Sequence, residues 1–565
     1  MVSPARRGFT ISYMGKSLLS RIDPVGQGER LAADVSPKER TLYLFPSPLY
    51  GYGLSLVLEK IRRESQQKKI AILCVEADEK LFEISKKAFA ELNIPTDDFP
   101  SLALTQISDP ERICALIRET WGERVFRRLE TIRLSGGWQL FPALYENIET
   151  AVRRDMALQW GNAMTLIRLG RLYTRNLIRN LALLPVSENI AALNFGSAPV
   201  LVLGAGPSLD PILNELCAFP GELERGKRRF RIICVDTCLP ALLERSIHPD
   251  LVVILESQHW NLRDFLGVTG RDIDAALDLS ALPASSRIMA GKRFLFVTPW
   301  TELELFKRMK TAGLLPETFP PLGSVGLSAV QAALTLSSGP VLIGGIDFSY
   351  TIDAYHARFT PRQQEQMIKQ NRFTSIVNAA VFREGTFSVS AKNGKQVQSD
   401  PAMRRYRNLF EQEFALIRGG DRRLMDITGS GLPLGIKTVS LEDAIGILTS
   451  TAEATPPSIH NRNSALSSRQ ISEFIQNEID TLNALKDILT GDKPSEPARL
   501  NDLLDTADYL WAHFPDCAGA GRRRPPHTDL GFLKRVRAEI EPFLKCWEMT
   551  TLELEKTRLR DTIKS

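Results

Sequence analysis

The sequence predicts an α/β protein built on a central, doubly wound parallel sheet, with a smaller α/β domain ahead of it and a helical domain behind it. Three observations lead there. Short, purely apolar runs alternate with helical segments from about residue 189 to 450, two strand–turn–helix units precede them, and helical periodicity alone follows. Strands that are apolar on both faces and separated by helices belong in a parallel sheet covered on both sides. The 565 residues exceed one core and suit about three domains, placed at 1–185, 189–450 and 458–565.

In the first domain, Thr41–Pro46 is an apolar run followed by Pro48-Leu49-Tyr50-Gly51-Tyr52-Gly53 and the periodic segment Leu54–Arg63, which reads as strand, turn and helix. A second run, Lys69–Val75, ends in Glu76-Ala77-Asp78 and leads into a helix over Glu79–Leu92. Two consecutive β–α units make a small parallel, Rossmann-like sheet. An acid at the end of the second strand of such a sheet meets a ribose, so Glu76 is a candidate ligand. Pro46, Pro48 and Leu49 displace the glycines from phosphate-loop spacing, and a domain kept for packing or docking is the other reading. From Pro110 to about Leu184 the pattern is helical. Arg168, Arg171, Arg175 and Arg179 share one helix face there, either solvated or a docking surface for an acidic partner.

The central strands are expected at Pro199–Leu203, Arg231–Val235, Leu251–Leu255, Arg293–Val297 and Pro340–Ile343. Asp272-Ile273-Asp274 has the spacing with which metal-dependent sugar transferases hold an ion. The Ala275-Ala276-Leu277 that follows makes it a charged helix start instead, and no metal is assigned. Thr451–Pro457 reads as a linker, Ser467–Leu489 and Lys534–Thr557 as helices, and Cys517–Pro526, with three arginines, as an exposed loop.

Composition narrows the function classes. Lys+Arg 71 against Asp+Glu 66 leaves a net charge of +5, with no run of five like charges, so nucleic acid has no electrostatic footprint. Seven scattered cysteines without a C-x-x-C pair predict a reducing compartment and no zinc site. With no stretch of about 18 apolar residues and no apolar leader in Met1–Arg30, the expected location is cytoplasmic, without a membrane span.

The chemistry gathers at the predicted strand ends. Val200–Leu203 runs into Gly204-Ala205-Gly206-Pro207-Ser208-Leu209-Asp210 and a helix, so glycine amides and a helix N-terminus can face an anion; a plain tight turn is the alternative. The next two strands end at Asp236-Thr237 and at Glu256-Ser257-Gln258-His259-Trp260-Asn261, which brings polar groups to the edge where open α/β sheets bind ligands. Asp236 also reads as a helix cap. Gly323-Ser324-Val325-Gly326 opens an Ala-rich helix, and Val341–Ile343 ends in Gly344-Gly345-Ile346-Asp347-Phe348, with Tyr355-His356 close behind. His356, with an ordinary pKa of about 6.5, is a candidate general base on an acceptor hydroxyl or else a solvated loop residue.

The glycine turn, the Asp236-Thr237 strand end, His248-Pro249-Asp250, and Gly345-Ile346-Asp347-Phe348 with Tyr355-His356-Ala357 resemble the central domain of the motility accessory factor family. That family is implicated in transferring nonulosonic, sialic-acid-like sugars to serines and threonines of flagellin. The same loops, with Ser324-Val325-Gly326, are similar to bacterial sialyltransferases that use CMP-activated sugars. The resemblance implies a sialyltransferase-like central domain in which Gly204, Gly206, Pro207 and Ser208 hold the nucleotide phosphate. It further implies that Asp236, Thr237, Glu256 and Asn261 line the donor pocket, that Ser324 and Gly326 contact CMP, and that His356 and Asp347 are catalytic. Asp236 and Glu256 stand where those enzymes have asparagines, and their catalytic histidine lies further beyond the Gly-Ile-Asp-Phe segment than His356 does. The implied partners are flagellin and a CMP-activated sugar, the latter a substrate, with no resident cofactor. Two alternatives stay open: a pterin diphosphokinase-like enzyme, with Asp236, Glu256 and Asp347 holding Mg²⁺, and a flagellin-binding assembly factor without activity.

Overall fold

The structure is a computed structural model of the chain. It describes residues 1–91, 102–122, 125–218, 228–373, 375, 385–414, 423–450, 457–459, 468–491, 496–517 and 524–564. Most of the 451–457 linker, and Arg522 and Arg523 of the 517–526 loop, lie outside the described residues. The chain folds as two compact units, Met1–Arg168 with Ala512–Arg524 and Leu169–Trp511 with Pro525–Ser565.

The first unit opens with a three-stranded meander, β1 (Val2–Pro4), β2 (Phe9–Tyr13) and β3 (Lys16–Ser17), and a short helix α1 (Pro24–Ala33). Its centre is a four-stranded parallel sheet built from β4 (Thr41–Pro46), β5 (Ala71–Val75), β6 (Leu102–Thr105) and β7 (Arg128–Thr131), in the order β6-β5-β4-β7. Helices α2 (Leu54–Lys68), α3 (Glu79–Glu91) and α4 (Pro110–Trp121) connect them, and α5 (Pro142–Asn180) follows. The Rossmann-like reading holds here, with a correction. Arg128–Thr131 is a strand inside the stretch expected to be helical, because pairing with buried β4 overrides its weak local pattern. The Tyr50–Gly53 turn is a packing device: a Cβ on Gly53 would meet the Gly28 carbonyl at 2.2 Å, and the Tyr52 hydroxyl accepts the Phe9 N–H at 2.7 Å.

The second unit holds a ten-stranded sheet in which every pairing is parallel. Its strands are β8 (Glu188–Asn189), β10 (Val200–Leu203), β11 (Arg231–Val235), β12 (Leu251–Ile254), β13 (Ala275–Asp278), β14 (Arg293–Val297), β15 (Glu317–Thr318), β16 (Val341–Gly344), β19 (Leu424–Ile427) and β20 (Lys437–Val439); β9 (Leu193–Asn194) lies outside it. The order is β15-β14-β13-β12-β11-β10-β16-β19-β20, with β8 on β14. Strand order therefore reverses between β10 and β16, and ligands of open α/β sheets bind at such a reversal, at the carboxyl ends of the strands. The helix expected after Asp274 is instead strand β13. Ala275 to Asp278 are all buried between β12 and β14, and their small side chains suit a strand covered on both faces.

Helix α6 (Leu209–Cys217) follows β10, α7 (Leu239–Glu244) follows β11, and α8 (Glu304–Thr311) follows β14. Helix α9 (Val325–Leu336) packs on β10, β11, β12 and β16, and α10 (Pro361–Lys369) comes after β16. A hairpin, β17 (Phe387–Ser390) and β18 (Gln396–Ser399), leads to α11 (Pro401–Glu413), while α12 (Leu441–Thr449) follows β20. Past the short strand β21 (Ser458–Ile459), which pairs β9, come α13 (Ser468–Thr490), α14 (Pro497–Thr506) and α15 (Leu530–Lys564). Two of the four arginines on that face of α5 find acidic partners within the chain, while Arg168 and Arg175 are exposed. Arg171 pairs with Glu539 at 2.7 Å and Arg179 approaches Glu553 at 3.7 Å, so α15 supplies the acidic partner from within the chain.

Candidate functional site

The glycine turn and the Gly345–Asp347 turn lie side by side at the strand reversal. The fit demands glycine: a Cβ on Gly204 would stand 2.5 Å from the Gly345 carbonyl oxygen, and one on Gly206 2.4 Å from Asp347 Oδ2. The N–H of Gly204 donates to Gly344 O at 2.8 Å and that of Gly206 to Gly345 O at 2.7 Å. The Ser208 N–H donates to Asp347 Oδ2 at 2.7 Å, and the Ser208 hydroxyl donates to Asp347 Oδ1. Pro207 has no N–H to offer.

At the turn expected to hold the nucleotide phosphate, Gly204, Gly206, Pro207 and Ser208 pack against the Gly345–Asp347 turn, and the protein's own carboxylate takes the N–H and hydroxyl of Ser208, the N-cap of α6. Asp347 is 3% exposed. Burial holds its pKa above the ordinary carboxylate value, and the Lys392 charge opposes that rise. Lys392, carried between β17 and β18, donates to Asp426 Oδ1 at 2.7 Å and to the Ile427 carbonyl at 3.1 Å. Asp426 is pushed up to about 6 by its own burial. Lys392 and Asp426 were not legible in the sequence, since 34 residues separate them and only the hairpin brings them together.

His356 lies nine residues past Asp347. Its backbone belongs to the segment that ties to the glycine turn, the Ala357 N–H donating to Ala205 O at 2.9 Å. Its Nδ1 is buried without a hydrogen-bond partner, and burial, assisted by the Arg362 charge, pushes the imidazole down to about 4. The ring is neutral near pH 7, hence in the form of a base, but it sits too low for strong proton abstraction.

A second group stands at the ends of β11 and β12. Asp236, 2% exposed, accepts from the Thr237 N–H at 2.8 Å and from Asn261 Nδ2 at 2.6 Å. The same amide reaches Asp264 Oδ2 at 3.4 Å, and Ser285 Oγ donates to Asn261 Oδ1 at 2.8 Å, which fixes the amide's orientation. Burial, and then the nearby Asp264 charge, push Asp236 up to about 7; burial, with a contribution from Glu256, pushes Asp264 up to about 6. Asp236, Thr237 and Asn261 thus come together as expected, and Asp264 joins them unforeseen, three residues past Asn261. Glu256 is exposed at the rim, one carboxylate oxygen accepting the Gln258 N–H at 2.8 Å.

Helix α9 begins at the same rim. Its N-cap Ser324 is extended, with φ −136° and ψ 129°, and makes no capping bond with its side chain. The first N–H groups of α9, on Val325 and Gly326, are taken by no described group. Gly326 packs against Ile346, a Cβ there standing 3.4 Å from its Cδ1. Of the two helix N-termini expected to hold phosphate, α6 has its N-cap Ser208 bonded to Asp347 and its Leu209 N–H to Gly206 O, whereas both first N–H groups of α9 are unspent among the described residues. Among the described residues, no three His, Cys, Asp or Glu side chains group as a metal site, and no helix is long and apolar enough to cross a membrane.

Residues 175–353, from the end of α5 past β16, match the model of the MptE-like family, described as 6-hydroxymethylpterin diphosphokinase MptE-like. Over 562 residues the chain is 30% identical to an uncharacterized protein of Treponema pallidum (strain Nichols), covering 96% of this chain and 93% of that one. Its fold is similar to that of the Maf glycosyltransferase from Magnetospirillum magneticum AMB-1, with a TM-score of 0.52 and 14% identity over 97% of this chain and 89% of that one. The chain therefore belongs to one family with the Treponema pallidum protein, matches the MptE-like model at its centre and shares the fold of a Maf glycosyltransferase, in keeping with the motility accessory factor resemblance of its loops.

Proposed function

We propose that the protein is a glycosyltransferase that moves a nonulosonic sugar from a CMP-activated donor to serine or threonine hydroxyls of flagellin. One observation carries this reading: the open N-terminus of α9, with Ser324 and the N–H groups of Val325 and Gly326 unspent, at the carboxyl rim of a parallel sheet and within one unit with the Asp236–Asn261–Asp264 group. A helix N-terminus stabilises the charge that grows on a departing phosphate, so CMP leaves with its one phosphate held by fixed dipoles. Buried carboxyls raised toward neutrality hydrogen-bond ribose hydroxyls with less repulsion of the donor's phosphate than ionised ones exert. The half-exposed Asp264 is better poised than His356 to accept a proton from the acceptor hydroxyl.

The fold of a glycosyltransferase across nearly the full length supports this reading. The match to the MptE-like model favours a second one, transfer of diphosphate to a hydroxymethylpterin. Incubating the purified chain with flagellin and a CMP-nonulosonic acid, and separately with ATP, Mg²⁺ and hydroxymethylpterin, distinguishes them. The proposal expects flagellin to gain the intact mass of one or more sugars in the first mixture and no pterin diphosphate in the second; the reverse pattern overturns it.

A further inference from the structure

Beside the open helix, the rim carries a set of aromatic side chains that the reading above does not use. Tyr173 comes from α5, whose position is set by two buried amides. Asn176 Nδ2 donates to the Ser257 and Ser280 carbonyls at 2.9 and 3.0 Å, and Asn180 Nδ2 to those of Leu279 and Ala281 at 2.9 and 2.8 Å. These carbonyls belong to the turns after β12 and β13, so Tyr173, one turn before Asn176, is delivered to the strand ends. Its ring lies 5.4 Å from that of Trp300, just beyond β14, and Trp300 is braced edge-on by Phe306 at 5.2 Å. Tyr406 comes from α11 and reaches the turn that opens α9, where a Cβ on Gly323 would stand 3.3 Å from its Cε1.

These rings are half-buried, and their polar tips are unspent. Neither the Tyr173 and Tyr406 hydroxyls nor the Trp300 indole N–H makes a hydrogen bond among the described residues. Burial, then the charge of Glu256 and the proximity of Tyr406 and Asp278, push the Tyr173 phenol up to about 12, which sets Glu256 within electrostatic reach of the rings. A core aromatic buries its tip with a partner. Aromatic faces with open polar edges, an exposed carboxylate and an unfilled helix N-terminus together have the chemistry of a nucleotide site, with the phosphate on the helix and the base on the rings.

We infer that Tyr173, Trp300 and Tyr406 form the platform for the donor's nucleobase, and that Glu256 selects a base bearing an exocyclic amine. This rests on the proposed nucleotide-dependent transfer and adds the side chains that read the base. A carboxylate accepts from the amine of cytosine or adenine, whereas the carbonyl that uracil presents at the same position repels it. Cytosine and adenine then separate by size: the amine-bearing pyrimidine fits a glycosyl donor, the purine a diphosphokinase.

The test is calorimetric titration of the full chain with CMP, AMP and UMP, for the wild type and for Tyr173→Ala, Tyr173→Phe and Glu256→Gln. Wild type is expected to bind an amine-bearing nucleotide at least tenfold more tightly than UMP. Tyr173→Ala lowers that affinity about tenfold, Tyr173→Phe keeps it, and Glu256→Gln brings the preference to within about twofold. Urea unfolding of each variant separates a lost site from a lost fold, and Glu256→Gln, at an exposed residue, keeps the test valid if the alanine variant does not fold. Equal binding of CMP, AMP and UMP by the wild type, or a preference that survives both Tyr173→Ala and Glu256→Gln, overturns the inference and leaves the glycosyltransferase reading standing. No binding of any nucleotide overturns both.

Discussion

The two parallel sheets of this chain each end a strand in a buried acid, and they use it differently. In the first unit, Glu76 at the end of β5 is 1% exposed and accepts from the Ser47 and Ser85 hydroxyls at 2.9 and 3.4 Å. Gly137 is pressed so closely on Ser47 that a Cβ would fall 2.0 Å from its Oγ. The ribose contact expected of Glu76 is therefore closed by packing. In the second unit, Asp236 is equally buried, yet its neighbours Asp264 and Glu256 reach the rim, and the open N-terminus of α9 belongs to the same sheet. The lesson is that an acid at a strand end marks the topology, and unspent donors around it mark a ligand.

The largest effect that would break this comparison is at the filled turn. Asp347→Ala removes the acceptor of two buried Ser208 donors and leaves Lys392 with Asp426 alone, so it should cost on the order of 3 kcal/mol in urea unfolding. Unchanged stability with lost transfer would return Asp347 to a catalytic role. Glu76 should set the pH dependence of the first unit. Its folded pKa, pushed up to about 7 by burial, lies above the unfolded value of about 4.5, so the folded state holds its proton longer and stability falls as pH rises between those values. The fall amounts to about 3 kcal/mol, and Glu76→Gln should abolish it, leaving the variant the more stable one at pH 8; pH-resolved unfolding monitors both.

In the second unit the same titration should appear in binding. Asp236 and Asp264 ionise near 7 and 6, with Glu256 and Arg263 as their charged neighbours, so affinity for an anionic nucleotide should drop severalfold between pH 6 and 8 and flatten in Asp236→Asn. The smallest change in structure sharpens the comparison most. Val325→Pro deletes one N–H at the first position of α9, which proline tolerates after an extended Ser324, so stability should hold while the donor KM rises about tenfold. A donor KM that does not move would remove α9 from the site.

Much of the architecture was legible because buried parallel strands are written as unbroken apolar runs: Arg231–Val235 and Arg293–Val297 have the expected bounds. Ala275–Asp278 was missed because two alanines carry no strand signal of their own, and only the flanks of β12 and β14 define it. At the site, Asp236, Thr237 and Asn261 were legible from strand-end position, and Ser324 and Gly326 from the helix start. At Gly204–Ser208 the spacing reports a close backbone approach without saying what approaches. Tyr173, Trp300 and Tyr406 lie on three elements far apart in sequence, and no local pattern unites them.

The carboxylate of Asp347, lodged against Ser208, has one more consequence. A glycine-rich turn that already encloses a carboxyl group of the protein must first displace it to wrap a chain of phosphates. Where that carboxyl group stays in place, the turn serves as a keystone between two neighbouring strands.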